Sequence, residues 1–232
     1  EFLDWGVFHV KHHFLDAWRR TRRAVKHRNA LLRRGRIVPN EIAVWEQELA
    51  LWGEQMDALR QAWFSEFLPM FDKTLKTLLP LPGLTLRYAR GWDKQRSLAD
   101  VLHDSRDTDQ QMGFTQQGPQ RADLHIRLNK QPAIEVLSRG QQKLVVSALK
   151  LAQGRLLEST AQRHCIYLID DLPAELDEHH RRQFCTLLEE MQCQAFITSV
   201  EPTALSDVWQ PSTAVEMFHV KHSAQGLSQC QP

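Results

Sequence analysis

The segment from Glu41 to Phe71 constrains the fold more than any other part of the chain. Within it Ile42, Trp45, Leu49, Trp52, Met56, Leu59 and Trp63 are spaced alternately three and four residues apart. Residues so spaced share one face of an α-helix, and the strict alternation is the seam of a helix packed lengthwise on another. A partner lies upstream, where Trp18, Val25 and Leu32 recur every seven residues, flanked by Leu15, Ala24 and Leu31. Between the two segments stands RGRIVPN, in which Gly35 ends one helix and Pro39-Asn40 opens the next. The expectation is an antiparallel helical hairpin with arms at about 12–35 and about 40–79, closed by Pro69, Pro80, Pro82 and Gly83. Trp45, Trp52 and Trp63 lie on the seam and are expected in the core.

Charge separates the two arms. Between His9 and Arg36, ten Lys and Arg residues are opposed by Asp16 alone, whereas Glu41 to Glu66 carries six acids against Arg60 alone. The net charge of +1 hides this division. Two readings stay open for the basic arm. Arg19, Arg22, Arg23 and Lys26 are candidates for phosphate contacts on DNA, or the basic residues pair with the acidic arm.

Beyond residue 82 the periodicity changes. LTLRYAR (Leu84–Arg90) and ADLHIRL (Ala122–Leu128) alternate apolar and polar residues as half-buried strands do. CIYLID and QAFITSV are apolar runs of the buried parallel-strand type, separated by a helical segment at about 178–192. That alternation implies an α/β fold, with the helical arm at 1–82 and an α/β part at 83–222. AVEMFHVK reads as a last, more exposed strand, and 223–232 as a disordered tail. No apolar run is long enough to span a membrane. The four cysteines form no C-x-x-C pair and read as reduced thiols of a cytoplasmic protein. FHVKH occurs twice, at Phe8–His12 and Phe218–His222, but such His pairs without a Cys or carboxylate cluster point to no metal.

Three short motifs carry chemistry. In CIYLIDD, Asp170 and Asp171 close an apolar strand, at the sheet edge where α/β proteins bind ligands. A hard cation such as Mg²⁺ takes carboxylate oxygens there and keeps waters and substrate phosphates as its other ligands. Asp170 suits that role, and Asp171 could polarise an attacking water. Upstream, in LSRGQQK, Ser138 is a natural helix N-cap whose following amides favour an anionic oxygen. Gly140 permits close backbone approach, and Gln141 offers a further hydrogen bond. Asp177, within AELD, begins a turn into the next helix.

LSRGQQK, LIDD and AELD resemble the signature, Walker B and D-loop of ATP-binding-cassette-type heads. FLDWGVFH, WRRTRRAVKHRNALLR, RGWDK and GPQRADL are similar to segments of the RecF family, and the likeness runs to about His222. The resemblance implies a weak ATPase whose dimer sandwiches ATP and Mg²⁺ between two heads. In it Asp170 would hold the metal and Asp171 would sit at the catalytic carboxylate position. Ser138, Arg139, Gly140 and Gln141 would act on a nucleotide held by the second protomer, with Asp177 connecting the two sites. It also implies binding at single-strand gaps and junctions, with RecO and RecR, to load RecA. Two departures stand out. Gln120 takes the place of the family's usual His, and no G-x-x-x-x-G-K-[ST] phosphate loop occurs, so the chain is expected to begin beyond that lobe and to be inactive alone. Thr198 or Ser199 lies near where many relatives place a switch His, which implies slow hydrolysis. The alternatives are a non-catalytic DNA-binding or interaction module built on the hairpin, and a truncated product without ATPase function.

Overall fold

The computed structural model describes residues 1–34, 38–222 and 228–231. Gly35 and Arg36 therefore lie outside the described residues, as do 223–227 and 232 of the expected tail. The chain divides into two compact units, Glu1–Ile166 and Tyr167–Pro232.

In the first unit, α1 (Phe2–Val10) leads into α2 (Phe14–Leu32) and α3 (Pro39–Leu78). The α2–α3 hairpin is antiparallel: Leu31 and Leu32 cluster with Ile42, and Ala24 with Leu49 and Ala50. The buried face of α3 runs through Ile42, Glu46, Leu49, Gly53, Met56, Arg60, Trp63, Phe67, Phe71, Thr74 and Leu78. The observed stripe and the expected seam share Ile42, Leu49, Met56 and Trp63; between these the inward position lies four residues on rather than three, so Glu46, Gly53 and Arg60 stand where Trp45, Trp52 and Leu59 were expected. Trp63 is in the core, but Trp45, Trp52 and Leu59 are only half-buried. Glu46, Asp57 and Arg60 take interior positions instead, which charge compensation permits. Pro69 does not close the helix, which continues to Leu78. An interior proline costs about 3 kcal/mol, and burial of Phe67, Phe71 and Leu75 around it offsets that cost.

β1 (Leu84–Ala89) is followed by α4 (Leu98–Asp104), α5 (Arg106–Met112), β2 (Asp123–Leu128), β3 (Gln131–Pro132), α6 (Ala133–Val136) and α7 (Arg139–Ala161). The three strands form one antiparallel sheet in the order β1-β2-β3. Helix α7 packs on α3 and on α1. The compact unit thus extends past the sequence boundary at 82, because the second half of α3 shares its core with the signature helix.

Two glycines explain segments that were legible only as family likeness. A Cβ on Gly6 would stand 2.3 Å from the Trp63 ring, so α1 lies against α3 only with glycine there. Gly91, at φ +94, crosses Gly118, whose N–H donates to the Gly91 carbonyl at 3.0 Å. RGWDK and GPQR are therefore two strokes of one backbone crossing. Gln120 stays within that loop, its Nε2 donating to the carbonyls of Thr115 and Gln117.

In the second unit, β4 (Tyr167–Ile169) and β5 (Ala195–Ile197) pair in parallel, joined through α8 (Leu172–Glu175) and α9 (Glu178–Glu190). The parallel pairing matches the sequence expectation; the burial does not. Leu168 is 80% exposed, and its register partner Phe196 is 53% exposed. Alternate side chains point to opposite faces, and the face bearing Leu168 and Phe196 is open. The last strands, β6 (His219–His222) and β7 (Ser228–Gln231), pair antiparallel, so part of the expected disordered tail is a strand. No helix among the described residues is long and apolar enough to cross a membrane. Cys165, Cys185 and Cys193 form no disulfide among the described residues, and burial pushes the Cys185 thiol up to about 12.

Candidate functional site

In the first unit the signature segment opens α7. Ser138 is its N-cap: the Ser138 Oγ accepts from the Gln141 N–H at 3.3 Å, and the Gln141 Oε1 accepts from the Ser138 N–H at 3.0 Å. This reciprocal capping box satisfies two of the amides that a helix start leaves open. Gln142 adds a brace, its Nε2 donating to the Leu137 carbonyl at 2.9 Å. The first-turn amides left outside the box belong to Arg139 and Gly140, both exposed. Gln141 keeps only its Nε2 for a ligand, because its oxygen serves the cap.

Gly140 has no internal justification. Nothing lies within 4 Å of where its Cβ would be, and its φ is not positive. Alanine there would stabilise the helix by about 0.5–1 kcal/mol. A glycine at this position leaves room for something approaching from outside.

In the second unit the parallel register carries β4 directly into Asp170 and Asp171. Asp171 adopts φ 45 and ψ 52, the left-handed region, as the N-cap of α8. Such backbone costs on the order of 1–3 kcal/mol for a residue other than glycine, though aspartate is among those that tolerate it best. Thr198 stands beside it. Its N–H donates to the Ile169 carbonyl at 3.0 Å, and its hydroxyl donates to Asp170 Oδ1 at 2.6 Å. The same hydroxyl accepts from the Asp171 N–H at 2.8 Å.

Asp170 remains exposed, with Oδ2 outside this network. The chemistry fits a hard cation. Among the described residues no three His, Cys, Asp or Glu side chains gather to hold a metal. A cation at Asp170 would therefore take most of its oxygens from water and from a bound phosphate, as Mg²⁺ does.

Asp177 caps α9, accepting from the His180 N–H at 3.0 Å and lying 2.7 Å from the His180 Nδ1. The backbone bond from His180, then the ring contact, hold the Asp177 carboxyl below the usual aspartate range.

The basic arm resolves into two faces. Arg28 is fully buried, its guanidinium bonded to Asp109 at 2.6 Å, to Glu46 at 3.1 Å, and to the Thr115 hydroxyl and Leu102 carbonyl. Arg106 reaches the same Glu46 at 2.5 Å. Arg34 pairs with Glu41 at 3.8 Å, and Lys11 with Glu66 at 2.7 Å. Arg19, Arg22, Arg23 and Lys26 are exposed, and no acidic partner for them is found among the described residues. Arg22 and Arg23 lie over Trp18 and Trp45. The acidic arm thus neutralises other cations than these four.

Sequence reasoning did not foresee the Arg28 node or the role of Thr198. It also missed a second buried node, where Arg60 pairs with Asp4 at 2.7 Å and donates to the Pro119 carbonyl. There Asp57 accepts from the Tyr88 hydroxyl at 2.7 Å and lies 3.1 Å from the Arg90 Nε. Burial, then the bond to Asp57, raise the Tyr88 pKa. Each node joins residues far apart in the chain, and the only local signal was a charge at an apolar phase of a helix.

Residues 27–226 match the family model for the RecF/RecN/SMC N terminal domain. The chain belongs to that family. It is 67% identical over 222 residues to the DNA replication and repair protein RecF of Chromohalobacter salexigens, covering 96% of this chain and 62% of the relative. Against RecF of Pseudomonas paraeruginosa the identity is 53%, covering 96% of this chain and 60% of the relative. The chain thus spans about three-fifths of the length of these curated relatives. The fold is that of solved structures of the recombination mediator protein RecF of the RecFOR pathway. The structure with ATP superposes at a TM-score of 0.80 and 19% identity, covering all of this chain and 62% of the other. The structure with an ATP analogue gives 0.78 at 20% identity over the same shares. The resemblance drawn from LSRGQQK, LIDD and AELD is borne out at the level of family and fold.

Proposed function

We propose that this chain provides the signature and Walker B elements of a RecF-type DNA replication and repair protein, a cytoplasmic ATPase that works as an ATP-dependent dimer. Its target is DNA at single-strand gaps and junctions, where it acts with RecO and RecR to load RecA. The observation that carries this reading is the outward-facing first turn of α7, with exposed Arg139 and Gly140 amides and free space over Gly140. A helix N-terminus of that kind suits a phosphate oxygen, here the γ-phosphate of a nucleotide held by a second protomer. Gln141 Nε2 and the Arg139 side chain add donors from the same turn.

Asp170 supplies the carboxylate for Mg²⁺ through Oδ2. When bound, the cation neutralises phosphate charge. Asp171, next in line, orients the water that attacks, and Asp177 links the two sites of the dimer. Arg19, Arg22, Arg23 and Lys26 form the DNA surface, supported by their exposure and by the absence of an acidic partner for them among the described residues.

The test is twofold. The 232-residue chain alone, which contains no G-x-x-x-x-G-K-[ST] loop, is expected to give no heat on titration with MgATP. A micromolar constant would overturn the assignment of its motifs to a nucleotide held elsewhere. In a protein of the relatives' full length bearing this sequence, Asp170→Asn is expected to abolish ATP hydrolysis. An unchanged rate there removes Asp170 from the metal.

A further inference from the structure

We infer that Thr198 is the positioning residue of the Asp170–Asp171 pair: one hydroxyl fixes both the rotamer of the first carboxylate and the left-handed backbone of the second. A threonine hydroxyl has one proton and accepting lone pairs. Its proton goes to Asp170 Oδ1 at 2.6 Å, a short bond of the charge-assisted kind. A lone pair receives the Asp171 N–H at 2.8 Å. Both bonds come from one atom, so losing it releases both aspartates together.

The placement follows from the fold. Parallel pairing sets Ile169 against Ile197, and the Thr198 N–H continues the ladder to the Ile169 carbonyl. Thr198 is thereby held one step beyond the last strand pair, level with Asp170. Three groups at that edge are fixed by one register. The left-handed backbone of Asp171 is held from both sides: its N–H goes to the hydroxyl, and its carbonyl accepts from the Ala174 and Glu175 N–H groups at 3.0 and 3.2 Å. Asp170 Oδ1 is also committed, which leaves Oδ2 as the oxygen that faces solvent. The hydroxyl proton is spent on Asp170, so Thr198 is not a free donor to a bound phosphate. Its effect on any ligand passes through Asp170.

This inference deepens the reading of Asp170 as a metal ligand and rests on it only for the metal-binding arm of the test. The test compares Thr198→Val, which keeps the volume and removes the hydroxyl, with Thr198→Ser, which keeps the hydroxyl. Thr198 is exposed, so valine is expected to lower the melting temperature by no more than about 2–4 °C and to leave the chain folded. The first measurement is amide hydrogen exchange at Asp171 in the full 232-residue chain, with no metal or nucleotide present. Exchange is expected to quicken roughly three- to tenfold in Thr198→Val, the factor that one hydrogen bond is worth, and to stay at the parent value in Thr198→Ser. Unchanged exchange in Thr198→Val, or exchange as fast in Thr198→Ser, overturns the proposal.

The second measurement is Mn²⁺ titration, followed by paramagnetic broadening of the Asp171 amide signal. Thr198→Val is expected to weaken Mn²⁺ severalfold and Thr198→Ser to restore it, while Asp170→Asn abolishes the response. If Asp170→Asn still binds Mn²⁺, or the parent chain does not, the metal reading fails and the exchange result still judges Thr198. If Asp170→Asn loses Mn²⁺ but Thr198→Val keeps it at parent affinity, the positioning role is overturned and the metal reading stands.

Discussion

The two faces of α2 carry the same kind of side chain to opposite ends. Lys26 and Arg28 are two residues apart, yet Lys26 is exposed and Arg28 is fully buried among Glu46, Asp109 and Thr115. On the inner face a guanidinium with fixed partners ties α2, α3 and α5 together. On the outer face Arg19, Arg22, Arg23 and Lys26 make no ion pair among the described residues and stay hydrated. Composition cannot distinguish these roles, because both faces contribute equally to net charge. Helical phase distinguishes them: 24, 28, 31 and 32 point inward, while 19, 22, 23 and 26 point out.

The sharpest way to break this comparison is at Arg28. Arg28→Ala leaves Asp109 and Glu46 buried with less compensation and is expected to cost about 3–5 kcal/mol, read as a lower urea midpoint. A loss under 1 kcal/mol would mean that water replaces the guanidinium. Replacing Arg19, Arg22, Arg23 and Lys26 together by Ala tests the outer face. Stability is expected to hold, while affinity for duplex DNA drops about tenfold or more at low salt and the dependence on salt flattens. Equal affinity at both salt levels would end the case for a DNA surface there.

Smaller effects test the signature turn. Ser138→Ala removes one half of the capping box and is expected to cost about 1 kcal/mol in thermal stability. Gly140→Ala should move the other way, stabilising by about 0.5–1 kcal/mol, and in a full-length protein should lower ATP hydrolysis. A neutral effect on hydrolysis would show that nothing approaches that residue. The smallest effect belongs to Arg20, whose exposed pair with Asp16 one turn away is expected to contribute no more than about 0.5 kcal/mol. Arg20 also lies 4.3 Å over the Trp52 ring, so the coupling energy of the Arg20–Asp16 pair in a double-mutant cycle, rather than Arg20→Ala alone, marks the floor against which Arg28 is judged.

Legibility in the sequence followed the range of the interactions. The hairpin, the capped start of α7 and the strand before Asp170 were readable because each rests on residues within a turn or two. The seam of α3 was read with the right partner and the right residues at Ile42, Leu49, Met56 and Trp63, but with the intermediate positions on the wrong side of the stripe. Glu46, Asp57 and Arg60 look like surface residues until Arg28, Arg90 and Asp4 are brought to them from other elements. The apolar runs around β4 and β5 signalled pairing correctly. They could not signal that the Leu168 face is open, since an exposed leucine and a buried one are written alike. Thr198 was legible as a position near a family switch residue. Its actual partner lies 28 residues away and is delivered by strand register alone.

The length of α3 has a mechanical consequence. Forty unbroken residues make a rod about 60 Å long. Its far half shares a core with α7 and α1, while its near half carries α2 with the exposed cations. A tilt of about 5° around the α7 end would sweep the hairpin tip by ~5 Å, given that length. The buried Arg28 and Arg60 nodes keep the rod from rolling within its own unit, so displacement at the tip is carried along it as angle. A small change of seating where α3 meets α7 would thus be magnified along the rod into a much larger displacement at the hairpin tip.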